Sequence, residues 1–184
     1  PGSLVRPKLR ITNLGGDKFP TGYSEGRRAW IGVQAGEDLD EDGTLDASEI
    51  SFESGKYDAS TGELTRDPQI KIYEMLAGVF NYNGDHKCDL VDATSGQEMF
   101  HFALNDCLLK DNRIPPRGFV PDEETKPVGY SYPPHPTVPG TLVHWDNTRY
   151  EIEVPVGTFK PFLLVTSLYY QTSSKEYVEF LRAA

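Results

Sequence analysis

Short runs of alternating hydrophobic and polar residues recur along the chain, and each run predicts a β-strand. In the first, residues 8–13, Leu9 and Ile11 share one face before Gly15 and Gly16 end the strand. The same kind of pattern predicts strands at residues 27–34, 50–53, 70–75, 100–104, 108–109, 150–154 and 162–171. The chain is therefore expected to consist mainly of short strands joined by turns.

The two most regular runs carry different expectations about burial. Residues 70–75 alternate strictly between two faces, one of which is mixed in polarity and is expected to be partly exposed. The run Phe162–Gln171 is nearly continuous in apolar and aromatic residues. Such a run is typical of a strand that is buried on both faces.

The remaining segments predict one long loop and one helix. Residues 115–139 contain eight prolines, too many for a central strand because each proline removes a backbone donor. Near the C-terminus, Ser173 followed by Glu176 matches a capping box and predicts a helix over residues 174–183. Together these elements predict an all-β fold, a two-sheet β-sandwich of the Ig-like or jelly-roll-like type, with one short C-terminal helix.

Length and charge restrict the domain organisation and the partners. A chain of 184 residues fits a single domain, for which we expect residues 4–184, with residues 1–3 the scar of a cleaved expression tag. The apolar runs are far shorter than the roughly 18–20 residues that cross a bilayer, so we expect a soluble chain with no membrane span. A net charge of −10 opposes phosphate backbones and anionic lipids, so nucleic acid is not an expected partner.

Residues 38–49, within an insert at residues 37–50, match the twelve-residue calcium loop of the EF-hand type. Calcium takes six to eight oxygen ligands, which this loop supplies from positions 1, 3, 5, 7, 9 and 12, and it requires a glycine at position 6. Gly43 occupies position 6. The predicted ligands are Asp38, Asp40 and Asp42 through their side chains, Thr44 through its carbonyl, Asp46 through a water and Glu49 through a bidentate carboxylate.

A solvated acidic loop tip is the simpler alternative, because runs of charge are usually just exposed. Seven acids and no base lie in residues 37–49, and the simpler alternative explains neither their alternation nor the glycine. Strands are predicted on both sides of the loop, whereas a sensor EF-hand has a helix on each side. We therefore expect a hairpin that holds a static Ca²⁺, at the weak affinity of about 10⁻⁴–10⁻³ M that extracellular modules commonly show.

Other residues give weaker indications of chemistry. Cys88 and Cys107 belong to no CxxC unit, and their spacing leaves a disulfide and two buried thiols equally open. Asp106, Asp111 and Asn112 could suggest a carboxylate pair, but such residues are also ordinary turn formers. No nucleophile or nucleotide-binding motif is present, so we expect a non-catalytic domain.

Aromatic residues and histidines offer one further binding hypothesis. Tyr130, Tyr132 and His135 lie in the proline-rich loop, with Trp145 nearby, and could form a stacking platform for a sugar ring. This hypothesis would make the chain a calcium-dependent carbohydrate-binding or adhesion module. The competing interpretation is that these rings pack the long loop onto the core.

Four segments together resemble a known family. They are GGDKFPTG (residues 15–22) leading into RRAW (27–30), DPQIKIYE (67–74), HFALN to KDNRIPPRGF (101–119), and YYQTSSKEY (169–177). In this order they resemble the haem-free β-sandwich region that follows the haem-binding part of bacterial multihaem c-type cytochromes. The resemblance extends from about Lys8 to Arg182.

The resemblance implies a periplasmic or extracellular accessory domain that docks to a haem-bearing domain or subunit and positions partners for electron transfer. This chain has no CxxCH, so it holds no covalently bound haem of its own. The family usually has a histidine where Asp17 stands. His101 is therefore the residue that we consider as a contact to a haem held elsewhere.

Overall fold

The computed structural model describes residues 2–22, 26–100, 103–123, 125 and 132–183. Within these residues the chain is mostly antiparallel strand with one short C-terminal helix, as expected for an all-β, sandwich-like fold. The elements are β1 (Ser3–Val5), β2 (Lys8–Thr12), β3 (Arg28–Glu37), β4 (Ile50–Ser54), β5 (Tyr57–Asp58), β6 (Glu63–Leu64), β7 (Lys71–Phe80), β8 (Cys88–Asp89), β9 (Cys107–Asp111), β10 (Trp145–Arg149), β11 (Ile152–Val154), β12 (Phe162–Gln171) and α1 (Lys175–Ala183).

The strands of the described residues form one six-stranded sheet and three two-stranded pairs. The six-stranded sheet has the order β12-β3-β7-β8, with β4 also paired to β3 and β9 also paired to β7. The pairs are β1 with β11, β2 with β10 and β5 with β6. None of the helices in the described part of the chain is long and apolar enough to cross a membrane.

The chain divides into two compact units, each assembled from three separate stretches. The first contains Pro1–Arg10, Trp30–Ile72 and Asn147–Tyr169, and the second contains Ile11–Ala29, Tyr73–Asp146 and Tyr170–Ala184. Each unit has its own buried residues.

Trp30 lies at the centre of the first unit. Its side chain is 1% exposed and packs with Leu64 and Ile72. The indole stacks on the ring of Tyr169, with centroids 5.2 Å apart, and donates a hydrogen bond of 3.1 Å from Nε1 to the carbonyl oxygen of Gly55. A large ring whose polar atom is paired is a stable core component.

Tyr73 and Tyr132 are buried in the second unit, and both phenol hydroxyls are hydrogen-bonded. Tyr73 donates to Asp146 Oδ2 at 3.0 Å, and Tyr132 donates to the carbonyl oxygen of Asn112 at 2.7 Å. Burial raises the pKa of Tyr132, and the neighbouring Asp146 carboxylate acts in the same direction. Tyr132 thus fixes part of the proline-rich loop to the core.

One expectation about burial was wrong. Strand β12 was expected to be buried on both faces, but Leu164, Leu168 and Tyr169 are 41%, 47% and 42% exposed. The reason is its position at one end of the six-stranded sheet. Strand β7 was expected to have one partly exposed face, and Lys71 and Met75 on that face are indeed half-buried.

Two predictions about local structure also need correction. A strand was expected at residues 100–104, but Ala103 and Leu104 form a turn and Phe100 is outside any strand, while residues 101–102 lie outside the described residues. The helix cap was expected at Ser173, whereas the Oγ of Ser174 accepts the amide of Tyr177 at 3.2 Å. Glu176 instead pairs with Arg28 at 3.2 Å.

Candidate metal centre

The acidic loop connects two paired strands of the first unit. Strand β3 ends at Glu37, β4 begins at Ile50, and Gly36 lies opposite Ile50 in the antiparallel register. The register shifts between Ala35 and Gly36, a bulge that places the end of β3 against the end of the loop. The prediction that the loop is a hairpin insert flanked by strands is confirmed.

Asp38, Asp40 and Asp42 converge in the first half of the loop. Each contributes one carboxylate oxygen to a group in which all the oxygens lie within 4.8 Å of one another. Oxygens that share one calcium ion at about 2.3–2.6 Å lie no more than about 5 Å apart, so this separation fits a common ion. The three predicted side-chain ligands are therefore close enough to act together.

Asp38 is the buried member of this group. It is 2% exposed, and its two carboxylate oxygens accept the amides of Asp42 and Gly43 at 3.1 and 2.9 Å. No basic side chain forms an ion pair with Asp38 in the part of the chain that the structure describes. A buried carboxylate is costly without a compensating positive charge, and a bound cation would supply one.

The other predicted ligands lie outside the group of three. The two carboxylate oxygens of Glu49 accept the amides of Leu39 and Asp46 at 2.7 and 2.9 Å, which folds Glu49 back over the loop. Each oxygen has two lone pairs, so these bonds still allow metal ligation. Thr44 donates from its amide and hydroxyl to Asp42 Oδ1 at 2.8 and 2.7 Å.

The electrostatics of the loop show mutual repulsion between the acids. The amide of Asp42 donates a hydrogen bond to Asp40, which lowers the pKa of Asp40, but desolvation and the carboxylates of Asp42, Glu49 and Asp38 raise that pKa, and the net shift is upward. Hydrogen bonds from Thr44 lower the pKa of Asp42. A divalent cation would remove the repulsion that acts on Asp40.

A neighbouring segment, residues 159–161, supports the base of the loop, and no sequence pattern predicts this contact. The carboxylate of Glu37 accepts the amides of Phe159 and Lys160, both at 2.7 Å, and the amide of Asp38 donates to the carbonyl oxygen of Pro161 at 2.9 Å. Lys160 also pairs with Glu41. Sequence patterns detect only neighbours in the chain, and these contacts join residues more than a hundred positions apart.

The carboxylates considered for acid/base chemistry have structural partners. Asp106 accepts the amide of Phe80 at 2.7 Å, and Asp111 accepts two bonds from the guanidinium of Arg113, at 2.8 and 2.6 Å. Asn112 accepts the amide of Glu74 at 2.9 Å. These contacts give each of the three side chains a structural role.

One residue of the predicted aromatic platform is buried and so cannot stack on a ligand. Tyr132 is 5% exposed and lies in the core, and Tyr130 lies outside the described residues. His135 instead contacts His144, with parallel rings 6.0 Å apart, and both rings meet Trp145 edge-on. The Nδ1 of His135 accepts backbone amides, so its neutral form carries the proton on Nε2, which disfavours metal binding there.

Cys88 and Cys107 form a disulfide that joins β8 to β9, so the alternative of two buried thiols does not apply.

His101, considered as a haem contact, lies outside the described residues. Comparison with known protein families, curated protein sequences and solved structures gives no significant match. Function is therefore argued from the loop and its surroundings.

Proposed function

We propose that residues 38–49 bind one calcium ion, which stabilises the β3–β4 hairpin in a fixed conformation. The observation that carries the proposal is the convergence of the Asp38, Asp40 and Asp42 oxygens within 4.8 Å. The donor set is made of carboxylates, which suit hard cations such as calcium, and the spacing of the loop adds Glu49 as a bidentate ligand. Asp46 and the carbonyl of Thr44 complete the proposed ligand set.

The ion would act as a structural component rather than as a switch. A sensor loop transmits calcium binding by changing the angle between two helices. Here strands β3 and β4 leave the loop, and they are paired with each other from Val33 to Gly36. Calcium binding can therefore tighten the hairpin but has no pair of helices to open.

At the level of the whole domain, we propose a non-catalytic accessory domain of an extracytoplasmic multihaem cytochrome system. The support is the four-segment resemblance, the disulfide between Cys88 and Cys107, and a loop type that commonly binds calcium only where calcium is abundant. The domain would position a haem-bearing partner and carry no covalent haem itself. His101 would be the haem contact to test.

Isothermal titration of the metal-free protein with calcium tests the binding site. We expect one ion per chain, and Asp38→Asn should weaken binding by roughly tenfold or more, because the buried ligand loses its charge. Glu153→Gln is the matched control, since it removes one exposed carboxylate of β11 outside the loop. Equal affinity in Asp38→Asn and the control, or no heat of binding in the wild type, would contradict the proposal.

The accessory role has a separate test. The complete gene and its neighbours should encode at least one CxxCH motif, and the domain should co-purify with that cytochrome in calcium-containing buffer. A gene neighbourhood without any CxxCH would rule out the cytochrome role and leave the calcium site unaffected.

A further inference from the structure

Strand β12 is an exposed hydrophobic edge. It spans Phe162–Gln171 and lies at one end of the six-stranded sheet, and none of the described residues pairs with its outer edge. Leu164 and Val165 are each 41% exposed, and Leu168 is 47% exposed. From Phe162 to Tyr170, no described residue pairs with the outer backbone amides and carbonyls, so within the described part of the chain they can accept another strand.

The composition of β12 lacks the features that protect edge strands. Proteins usually place charges, proline or bulges on such edges to prevent pairing with other chains. Charged residues make up 25% of this chain, but Phe162–Gln171 contains none and has no proline. With a net charge of −10, two copies repel each other over most of their surface, and β12 is a place where they can meet without opposing like charges.

The sequence of β12 is complementary to itself. When a twofold axis relates two antiparallel edge strands, each face of one strand continues as the same face of the other. Directly opposed residues point to the same face, so the residue numbers of each opposed pair add up to an even number. Centring the axis on Thr166 puts Leu164 opposite Leu168 of the second copy and Leu163 opposite Tyr169 of the second copy. Thr166 of one copy then lies opposite Thr166 of the other copy. Apolar residues meet apolar residues and the central hydroxyls meet each other, which are favourable cross-strand pairs.

Packing within the chain already fixes one part of β12. Tyr169 stacks on the buried Trp30 with ring centroids 5.2 Å apart, so that part of β12 is fixed before any partner binds. A preformed strand loses little conformational freedom on pairing.

We propose that β12 is a homodimer interface, in which two copies of this chain pair their β12 strands antiparallel about Thr166 and extend the six-stranded sheet across the twofold axis. The proposal is independent of calcium binding. It predicts a dimer of the calcium-loaded chain, which sedimentation equilibrium or light scattering over a concentration series would detect.

Charge substitutions test both the partner and the register. Leu164→Lys and Leu168→Glu should each give a monomer, because a charge faces a leucine of the second copy. The double variant should dimerise again, because Lys and Glu then face each other twice across the axis. Within one chain these positions are four residues apart along a strand and do not meet, so recovery requires pairing between copies.

A cysteine on the axis provides a second test that leaves the apolar residues intact. Thr166→Cys should form a covalent dimer under mild oxidation, whereas Ala59→Cys, on the exposed turn between β5 and β6, should not. Circular dichroism and thermal melting check that each variant is folded. A monomeric wild type, a double variant that stays monomeric, or equal cross-linking of Thr166→Cys and Ala59→Cys would overturn the proposal.

Discussion

At the residue scale, Asp40 shows why a bound cation would stabilise the loop. It is exposed, but its pKa is raised because desolvation, followed by the charges of three other carboxylates, acts against its ionisation and outweighs the hydrogen bond from the amide of Asp42. Asp40→Asn should therefore raise the melting temperature in EGTA and reduce the gain that calcium gives. Glu153→Gln serves again as the control. A variant that melts lower than the wild type in EGTA would show that repulsion is not a dominant feature of the loop.

His144 predicts an acid-sensitive contribution to stability. Its Nδ1 is buried and has no hydrogen-bond partner among the described residues, and desolvation, followed by His135 and Arg117, lowers the pKa of His144. The unfolded chain binds this proton more tightly, so the stabilisation exists above the ordinary pKa of about 6.5 and is lost as the pH falls through the folded value. Urea unfolding at about pH 7.5 and about pH 5 should show a smaller loss in His144→Phe than in the wild type. An equal loss would contradict this role.

The proximity of Asp38, Asp40 and Asp42 could be predicted from sequence, because an EF-hand-type loop sets its carboxylates by local spacing. Asp38, Asp40 and Asp42 are close together in sequence, so the folded loop keeps their carboxylates close together in space. Glu37 and Lys160 could not be found in this way, since their contacts depend on how two distant stretches of chain pack. The same holds for His135 and His144, which no spacing rule connects.

At the element scale, the β3–β4 hairpin predicts different effects for two glycines. A Cβ at Gly36 would overlap the backbone carbonyl of Glu49, whereas Gly43 has open space and only its φ of 83° to strain. Gly43→Ala should cost about 1 kcal/mol of stability, the usual penalty of the left-handed region. Gly36→Ala should cost more and should weaken calcium binding, because it displaces Glu49. Chemical unfolding and calcium titration of both variants test this order, and equal effects would contradict it.

The disulfide makes a second prediction at this scale. Cys88 and Cys107 are 19 residues apart, and closing a loop of this size stabilises a fold by about 3 kcal/mol. Reductant should lower the free energy of unfolding of the wild type by about this amount. The Cys88→Ser/Cys107→Ser control should start lower and show no response to reductant. A wild type that is insensitive to reductant after full reduction, verified by thiol counting, would contradict the prediction.

Element types were easier to predict from sequence than burial. Alternation identified β2, β3, β4 and β7 within a few residues, because the period of two is a local property of a strand. The exposure of β12 depends on its place in the sheet, which no local pattern specifies. An apolar strand such as β12 has the same sequence signature whether neighbouring strands or a second chain cover it.

At the scale of the whole molecule, the fold class followed from many short strands and one terminal helix. The assembly of distant stretches into two compact units could not be predicted from sequence, because it depends on contacts between segments far apart in the chain. Because the loop lies between strands of the sheet and not between two helices, the proposed calcium ion would stabilise the fold.

Thermal melting of the whole chain with calcium or with EGTA tests this claim most directly. With a Kd of about 0.1 mM, 10 mM calcium is about 100 times Kd and should add about 2.7 kcal/mol to the free energy of unfolding. For a chain of this size that corresponds to a rise in melting temperature of roughly 5–10 °C. We expect this rise in the wild type and a clearly smaller one in Asp38→Asn, whose tenfold weaker binding leaves only about 1.4 kcal/mol at the same calcium concentration. An unchanged melting temperature in the wild type would contradict the proposed stabilising role.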